Sequence, residues 1–292
     1  NYVTAINVAQ GTNNAIILAG LVGDVQGTID IENVLINNNG LLTFECKTIN
    51  ANGAYENLGS GVTQFTGALT IGDTFVADKL GMRNGSVLGA DPMPDYTEVA
   101  LGTVTVSADG SLTANSLTIE KDATGTLTVN GVAKIGTANI GNGTHTFVGK
   151  TFDVNTLTIG GKDLGTASFT ASKGKMTAGD VTVSDGGTLN ISTSANTDEL
   201  QFSAQSLTVT KSDVTTATAG VLAVGGNQGY TVFDVDAVTV EAGSATFKGD
   251  TDVAVETLNV KGGTASIQGD VAAEIGSLAV DDGAMFKMTN GT

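Results

Sequence analysis

Few residues in this sequence are of the types that act as nucleophiles or bind transition metals. His145 and Cys46 are each the only residue of their kind in the 292-residue chain. A histidine without a second His or Cys lacks the partners of a zinc site or a catalytic triad, and one Cys cannot form an intrachain disulfide. Cys46 alternates with Phe44, and His145 alternates with Phe147. We therefore expect a buried thiol and a partly buried strand histidine, not reactive groups.

Carboxylates are plentiful, and two short segments match part of the pattern of pectin-cleaving hydrolases. These segments are residues 196–198 (Asn-Thr-Asp) and 281–282 (Asp-Asp). The same pattern requires Gly-His-Gly and Arg-Ile-Lys, whereas His145 lies between threonines and Arg83 is followed by Asn. Half of the pattern is missing, so we predict no enzyme activity. A carboxylate pair for glycoside hydrolysis stays open, which leaves a polysaccharide-degrading enzyme as a minor alternative.

Acidic residues beside turn glycines also raise the question of calcium. Asp250 and Asp270 occupy equivalent positions of two successive repeat units. The calcium-binding nonapeptide GGxGxDx(apolar)x and an EF-hand loop are both missing from the sequence. Turn Asp side chains usually bond to nearby backbone. We predict no cofactor and no dedicated metal site. Weak calcium binding stays open as an alternative.

The overall charge excludes several partners. Thirty acidic residues against 13 basic ones give a formal net charge of -17 and a pI of about 4.1. Such a chain repels phosphate backbones and anionic lipid surfaces, so we predict no nucleic-acid partner. The longest apolar run, residues 15–22, is far shorter than the roughly 20 residues of a membrane-spanning helix. We therefore expect no membrane span in this segment.

Repeats are the strongest signal in the sequence. The composition, with 40 Gly, 40% hydrophobic residues and only 15% charged residues, is typical of β structure. Three segments of about 20 residues align, and they begin at Ala237, Thr257 and Ser277. The aligned columns are Val238, Leu258 and Leu278; Val240, Val260 and Val280; the turn residues Gly243, Gly263 and Gly283; Phe247 and Ile267; Gly249 and Gly269; and Val255 and Ile275.

Fainter copies extend upstream, and an Ile or Val at the end of a leading triplet marks each of them. Most successive markers are about 20 residues apart, and the two gaps on either side of Val209 are the longest. Gaps longer than the basic repeat indicate loops inserted between otherwise constant strands. The markers are Ile119, Ile140, Ile159, Val183, Val209, Val240, Val260 and Val280.

The repeat predicts a parallel β-solenoid. Within each unit, apolar and polar residues alternate over a few positions and are followed by Gly, Asp or Asn, which is a strand-and-turn pattern. Strands in a sandwich have no reason to repeat one set of columns, whereas a coil stacks like on like. We predict an all-β fold: one elongated, right-handed solenoid over residues 1–292, with rungs of about 20 residues built from two or three short strands. Residues 1–100 are less regular, and residues 101–292 are regular, most clearly over 237–292.

Residues 82–96 interrupt this pattern and form the best candidate for a specific contact. The segment holds both prolines of the chain, does not alternate, and therefore reads as a loop inserted into the coil. Irregular loops on a rigid scaffold often carry recognition, and Met, Tyr and Arg are common interface residues. The predicted contact residues are Met82, Arg83, Asp91, Met93 and Tyr96.

The leading V/L-T-V triplets, the Gly turns and the second strands give the chain a family likeness. In VTVSDGGTLNIS from Val181, LTIEKDATGTLTVNG from Leu117 and the three C-terminal copies, it resembles the parallel β-helix passengers of bacterial autotransporters and filamentous-haemagglutinin-like adhesins. The resemblance implies a secreted, non-catalytic rod displayed on a bacterial surface. Its partners would be a cell-surface or matrix protein or glycan, or copies of itself. A self-assembling surface-layer, sheath or phage-fibre subunit is the alternative.

The third C-terminal copy reaches Thr292 before its repeat unit is complete. Solenoids need caps, because an uncovered turn presents an open strand edge. We therefore expect the native polypeptide to continue beyond this point. We also expect a chain that stops there to form filaments or aggregates.

Overall fold

The protein forms a coil of parallel strands. The computed structural model describes residues 5–8, 15–19, 28–31, 34–38, 41–45, 48–53, 55–57, 62–65, 68–82, 103–119, 126–212, 217–225 and 229–289. These residues contain 27 strands and no helix. The strands are β1 (Ala5–Val8), β2 (Ala15–Ala19), β3 (Thr28–Ile31), β4 (Val34–Asn38), β5 (Leu41–Glu45), β6 (Thr48–Ala51), β7 (Tyr55–Asn57), β8 (Val62–Phe65), β9 (Ala68–Ile71), β10 (Thr74–Met82), β11 (Val104–Val106), β12 (Ser111–Ile119), β13 (Leu127–Val129), β14 (Val132–Ile140), β15 (Gly143–Phe147), β16 (Thr151–Ile159), β17 (Ala167–Ala171), β18 (Gly174–Val183), β19 (Thr188–Ile191), β20 (Glu199–Val209), β21 (Val221–Val224), β22 (Tyr230–Val240), β23 (Ser244–Lys248), β24 (Thr251–Val260), β25 (Thr264–Gln268), β26 (Ala272–Val280) and β27 (Met285–Thr289).

Two parallel sheets run the length of the coil. Sheet A has 15 strands, and its main path is β1-β4-β7-β10-β12-β14-β16-β18-β20-β22-β24-β26, with β2, β5 and β8 alongside. Sheet B has 12 strands in the order β27-β25-β23-β21-β19-β17-β15-β13-β11-β9-β6-β3. From β10 onward, each sheet A strand is followed along the chain by one sheet B strand. The predicted parallel β-solenoid is thus confirmed, with turns of about 21 residues.

The predicted marker residues lie in one column. Ile119 is the Cα partner of Ile140, Ile140 of Ile159, and Ile159 of Val183. The same pairing continues through every later marker to Val280. The strand register is kept although the number of residues between successive markers varies. The extra residues therefore lie in the connections between strands. The predicted column is confirmed at each of the eight markers, whereas Gly283 lies one position before the equivalent of Gly263, since Thr264 pairs with Met285.

The strands of sheet A are longer than the short strands expected from the sequence. From β12 to β26 they run for 9 to 11 residues. β10 pairs through its first half with β7 and through its second half with β8, so two separate strands of earlier turns become one. The strand register skips one position in each long strand, at Asn115 and Gly136 for example, and then resumes. A Cβ at Gly136 would lie 2.5 Å from the Asn115 carbonyl oxygen, so close packing favours glycine at this corner.

Apolar side chains fill the interior of the coil. Inward positions alternate with outward ones along each strand, as in the buried-partly exposed-buried pattern of β11 and β13. Aromatic rings stack between turns: Phe233 lies parallel to Phe202 at 5.3 Å between centroids and edge-on to Phe247 at 5.4 Å. Like residues above one another therefore form continuous apolar columns, which hold the turns together.

The outward side of sheet B from Thr103 to Ser266 carries mostly Thr and Ser, and we call these uncharged positions the hydroxyl face. Lys248, the last residue of β23, also points outward from this sheet and lies beside the face, and Ser266 at the end of the face is largely covered. Eight successive turns contribute two outward positions each. Its residues are Thr103, Thr105, Thr126, Thr128, Thr144, Thr146, Ser168, Thr170, Thr188, Asn190, Val221, Ala223, Ser244, Thr246, Thr264 and Ser266. By contrast, the first halves of the long strands carry outward charges, including Lys134, Asp153 and Asp234.

Phe233 tests the contribution of the aromatic column to stability. Phe233→Ala should lower the free energy of unfolding by about 3–5 kcal/mol, because the ring is fully buried between two others. Chemical denaturation followed by circular dichroism measures the change. Val232→Ala, on the outward side of the same strand, is the control and should change stability by less than about 1 kcal/mol. Equal effects of the two substitutions would contradict the inward stacking of Phe233.

Candidate functional site

The predicted contact loop falls almost entirely outside the described residues. Met82 is the last residue of β10 and is the Cα partner of both Phe65 and Ile119, so it belongs to the coil. Arg83, Asp91, Met93 and Tyr96 lie outside the described residues. Thr74 pairs with Ser111, so the chain in this turn is much longer than the ordinary turn of about 21 residues. The contact role of these residues stays a prediction.

A cleft opens where sheet B strands connect to the starts of β22, β24 and β26. Its volume is about 530 Å³. Tyr230 stands at its wall with 45% of its side chain exposed. The lining residues are Asn196, Gly229, Tyr230, Asp250, Thr251, Asp252, Asp270 and Ala272. The cleft thus combines an exposed aromatic ring with three carboxylates and one amide.

The Tyr230 hydroxyl donates a hydrogen bond to a carboxylate oxygen of Asp252. This bond raises the pKa of the Tyr230 phenol, because ionisation would remove the donor and place two negative charges together. Burial and the nearby charges of Asp252 and Glu199 act in the same direction. Tyr230 therefore stays neutral at physiological pH and offers a ring surface with its hydroxyl already engaged.

The carboxylates around this ring have no basic partner within the described part of the coil. Among the described residues, no Lys side chain forms an ion pair with Asp250, Asp252 or Asp270. Ionised carboxylates only accept hydrogen bonds, so a group bound in the cleft must donate them, as ammonium, guanidinium and sugar hydroxyl groups do. The described residues contain no group of three or more His, Cys, Asp or Glu placed to hold a metal ion. Weak calcium binding at Asp250 and Asp270 stays untested.

The Asn-Thr-Asp segment is divided between two roles. Asn196 lines the cleft, whereas Asp198 is buried and forms an ion pair with Lys173 at 3.2 Å. Ser194 also donates a hydrogen bond to Asp198. With its carboxylate engaged on both sides, Asp198 holds the loop before β20 in place. The second acidic segment, residues 281–282, lies in the turn between β26 and β27.

His145 is a structural residue. It points inward from β15 beside Phe147, as the alternation predicted, but it is fully buried where partial burial was expected. Its Nδ1 accepts a hydrogen bond from the Leu127 amide at 3.0 Å, and its Nε2 lies 3.2 and 3.1 Å from the Gly141 and Asn142 carbonyl oxygens. Since Nδ1 accepts, the proton is on Nε2. The ring thus satisfies backbone groups of two turns and has no free nitrogen for catalysis.

Sequence reasoning missed the cleft and the role of Tyr230. The cleft is assembled from four chain segments; the sequence singled out Asn196, Asp250 and Asp270 for other reasons, and nothing in it indicated that they meet beside Tyr230. Cys46 lies outside the described residues, so its predicted burial is untested.

Comparisons with known proteins add no relative. A scan of the chain against protein-family models, a search of curated proteins and a search of solved structures each gave no match. No helix among the described residues is long and apolar enough to cross a membrane.

Protonation of His145 should destabilise the fold. Burial lowers the pKa of this imidazole below its usual value of 6.5, so the neutral form is favoured in the folded state. Its stabilising contribution is complete above pH 6.5 and is lost as the pH falls below it. We expect the free energy of unfolding to decrease more between about pH 7.5 and 5 in the wild type than in His145→Gln, where the amide does not titrate. Parallel pH dependences in urea denaturation would contradict this prediction.

Asp252→Asn should lower the pKa of Tyr230. The substitution removes the charged hydrogen-bond acceptor, so ionisation of the phenol becomes easier. Ultraviolet titration of the phenolate measures the change, and a difference against Tyr230→Phe isolates this tyrosine from the other three. Asp270→Asn, which removes a carboxylate without touching the hydrogen bond, is the matched control. A smaller effect of Asp252→Asn than of Asp270→Asn would contradict the assignment.

Proposed function

We propose that the protein is a secreted, non-catalytic rod displayed on a bacterial cell surface, where it binds a partner as an adhesin or passenger-type protein. The observation that carries this proposal is that side chains fill the interior of the coil. Inward positions in the described coil are filled by apolar side chains, most of them completely buried. A small substrate has no interior cavity to enter there, so partners meet the outer surface.

The cleft at Tyr230 is the described part of the surface best suited to such a contact. Exposed aromatic side chains in concave sites commonly anchor interfaces, and the surrounding carboxylates accept hydrogen bonds from basic side chains or sugar hydroxyls. The engaged hydroxyl of Tyr230 holds its ring in place before a partner arrives. A fixed ring loses little conformational entropy on binding.

Binding to cells and matrix tests the proposal. Labelled protein should bind saturably to cells, matrix proteins or a glycan array, and Tyr230→Ala should weaken that binding about tenfold or more, as for an interface anchor. Replacing residues 83–96 by a short turn tests the second predicted contact while leaving Met82 in its column. Thr177→Ala, on an outward position of β18, is the control. Release of reducing ends or unsaturated sugars from polysaccharides would contradict a non-catalytic role.

A self-assembling surface-layer, sheath or fibre subunit is the second candidate, because columns that stack from turn to turn can also stack between copies. Leu278, Val280, Met285 and Met288 in the last described turn are 44–53% exposed. Leu278 and Val280 continue columns that are fully buried one turn earlier, at Leu258 and Val260. Among the described residues β26 and β27 end the two sheets, so the strand that pairs with them next belongs either to a later turn of the same polypeptide or to a second copy.

Sedimentation distinguishes this second candidate. Concentration-dependent growth into ordered filaments or sheets, with or without calcium, would support assembly. Leu278→Lys together with Met288→Lys should abolish that growth, because charges would occupy the exposed columns. A monomer at high concentration would count against it.

A further inference from the structure

The hydroxyl face is neutral in a strongly acidic chain. The chain carries a net charge of -17, yet none of the 16 positions of this face holds a charged residue; Lys248, at the end of β23, is the charged outward residue beside it. Ten are Thr, three are Ser and one is Asn. Val221 and Ala223, in β21, are the two exceptions. An uncharged strip across eight turns is complementary to an uncharged surface, not to an ion or a charged polymer.

The same face is regular in two directions. Parallel pairing places equivalent side chains about 4.8 Å apart from turn to turn, and the two outward positions of one strand are about 6.6 Å apart. Thr146 contacts Thr128 across adjacent turns at 3.4 Å between hydroxyl oxygens, and Ser266 contacts Thr246 at 3.3 Å. Thr side chains have few rotamers on a strand, so their hydroxyl and methyl groups keep this spacing.

The composition of the face disfavours the usual macromolecular partners. Protein interfaces depend on aromatic or Arg anchors in pockets, and the hydroxyl face has neither. It also has no aromatic ring to stack on a sugar. What remains is a two-dimensional array of short hydroxyl and methyl groups, which fits a lattice of water molecules held at regular positions.

We propose that the hydroxyl face binds the surface of ice. Each hydroxyl donates and accepts hydrogen bonds, so rows of Thr can order water in the trough between them, and rows of oxygen atoms in hexagonal ice repeat at a distance close to the strand spacing. The methyl groups fill the spaces between ordered waters. The five turns from Thr103 to Asn190 form the longest uninterrupted block, so binding centres there. This inference does not depend on the proposed partner binding through the Tyr230 cleft.

Partition into slowly growing ice tests the proposal. The wild-type chain should be enriched in the ice fraction and should arrest the growth of ice crystals in a thermal-hysteresis measurement. Thr128→Lys with Thr146→Lys should abolish both effects, because two long charged side chains would hold the face away from the lattice. Thr128→Val with Thr146→Val keeps the methyl groups but removes the hydroxyls, so this variant should show reduced ice partition and reduced arrest of crystal growth.

The control is Thr177→Lys, which places the same charge on the outward side of β18, on a face that already carries charges. It should leave ice partition unchanged. Circular dichroism of each variant verifies the coil. Exclusion of the wild-type chain from ice, or loss of partition in Thr177→Lys equal to that in the double Lys variant, would overturn the proposal. The proposal would also be overturned if Thr128 and Thr146 were needed for retention on insoluble cellulose or chitin, or for face-to-face dimerisation, but not for ice partition.

Discussion

Parallel hydrogen-bond register between turns is the constraint on which the rest of this structure depends. Each strand pairs with the equivalent strand one turn away, so a residue at one position determines what its neighbours above and below contact. Inward columns become apolar and outward columns become polar because the alternation is repeated without a shift. The corner at Gly136 keeps this register by skipping one position without slipping the second half of the strand. Aromatic stacking at Phe233, the site at His145 and the hydroxyl face all follow from that register.

Polar groups inside the coil occur where they form hydrogen bonds with the same turn or a neighbouring one. His145 accepts from one turn and donates to carbonyls of its own turn, so the burial of an imidazole is offset by backbone bonds. Tyr55 is likewise buried, forms a hydrogen bond with Thr63, and stacks on Phe75 at 4.2 Å. Burial raises the pKa of Tyr55 to about 12, so it stays neutral and compatible with the apolar column. Residue types associated with chemistry thus have structural roles when they face inward.

The sequence was informative about periodicity and much less so about surfaces. Because like stacks on like, the markers from Ile119 to Val280 could be aligned without any structure, and the longer gaps could be assigned to connections. Strand lengths could not be predicted, since a strand that bends at Asn115 or Gly136 looks like two short runs in the sequence. The Tyr230 cleft was also hidden, because it unites Asn196, Asp250 and Asp270 from separate segments. Which outward columns share one face depends on that same bend, which no local pattern reports.

The arrangement of the strands has a mechanical consequence. The hydrogen bonds between turns run along the axis of the coil, whereas the covalent chain runs around it. A load applied to the chain along the axis therefore opens the inter-turn bonds one after another, and the coil lengthens as successive strands peel away. Because each turn contacts only its neighbours, detachment proceeds one turn at a time. Such a rod would lengthen in regular increments and dissipate force at each step, while the turns that remain attached keep their structure.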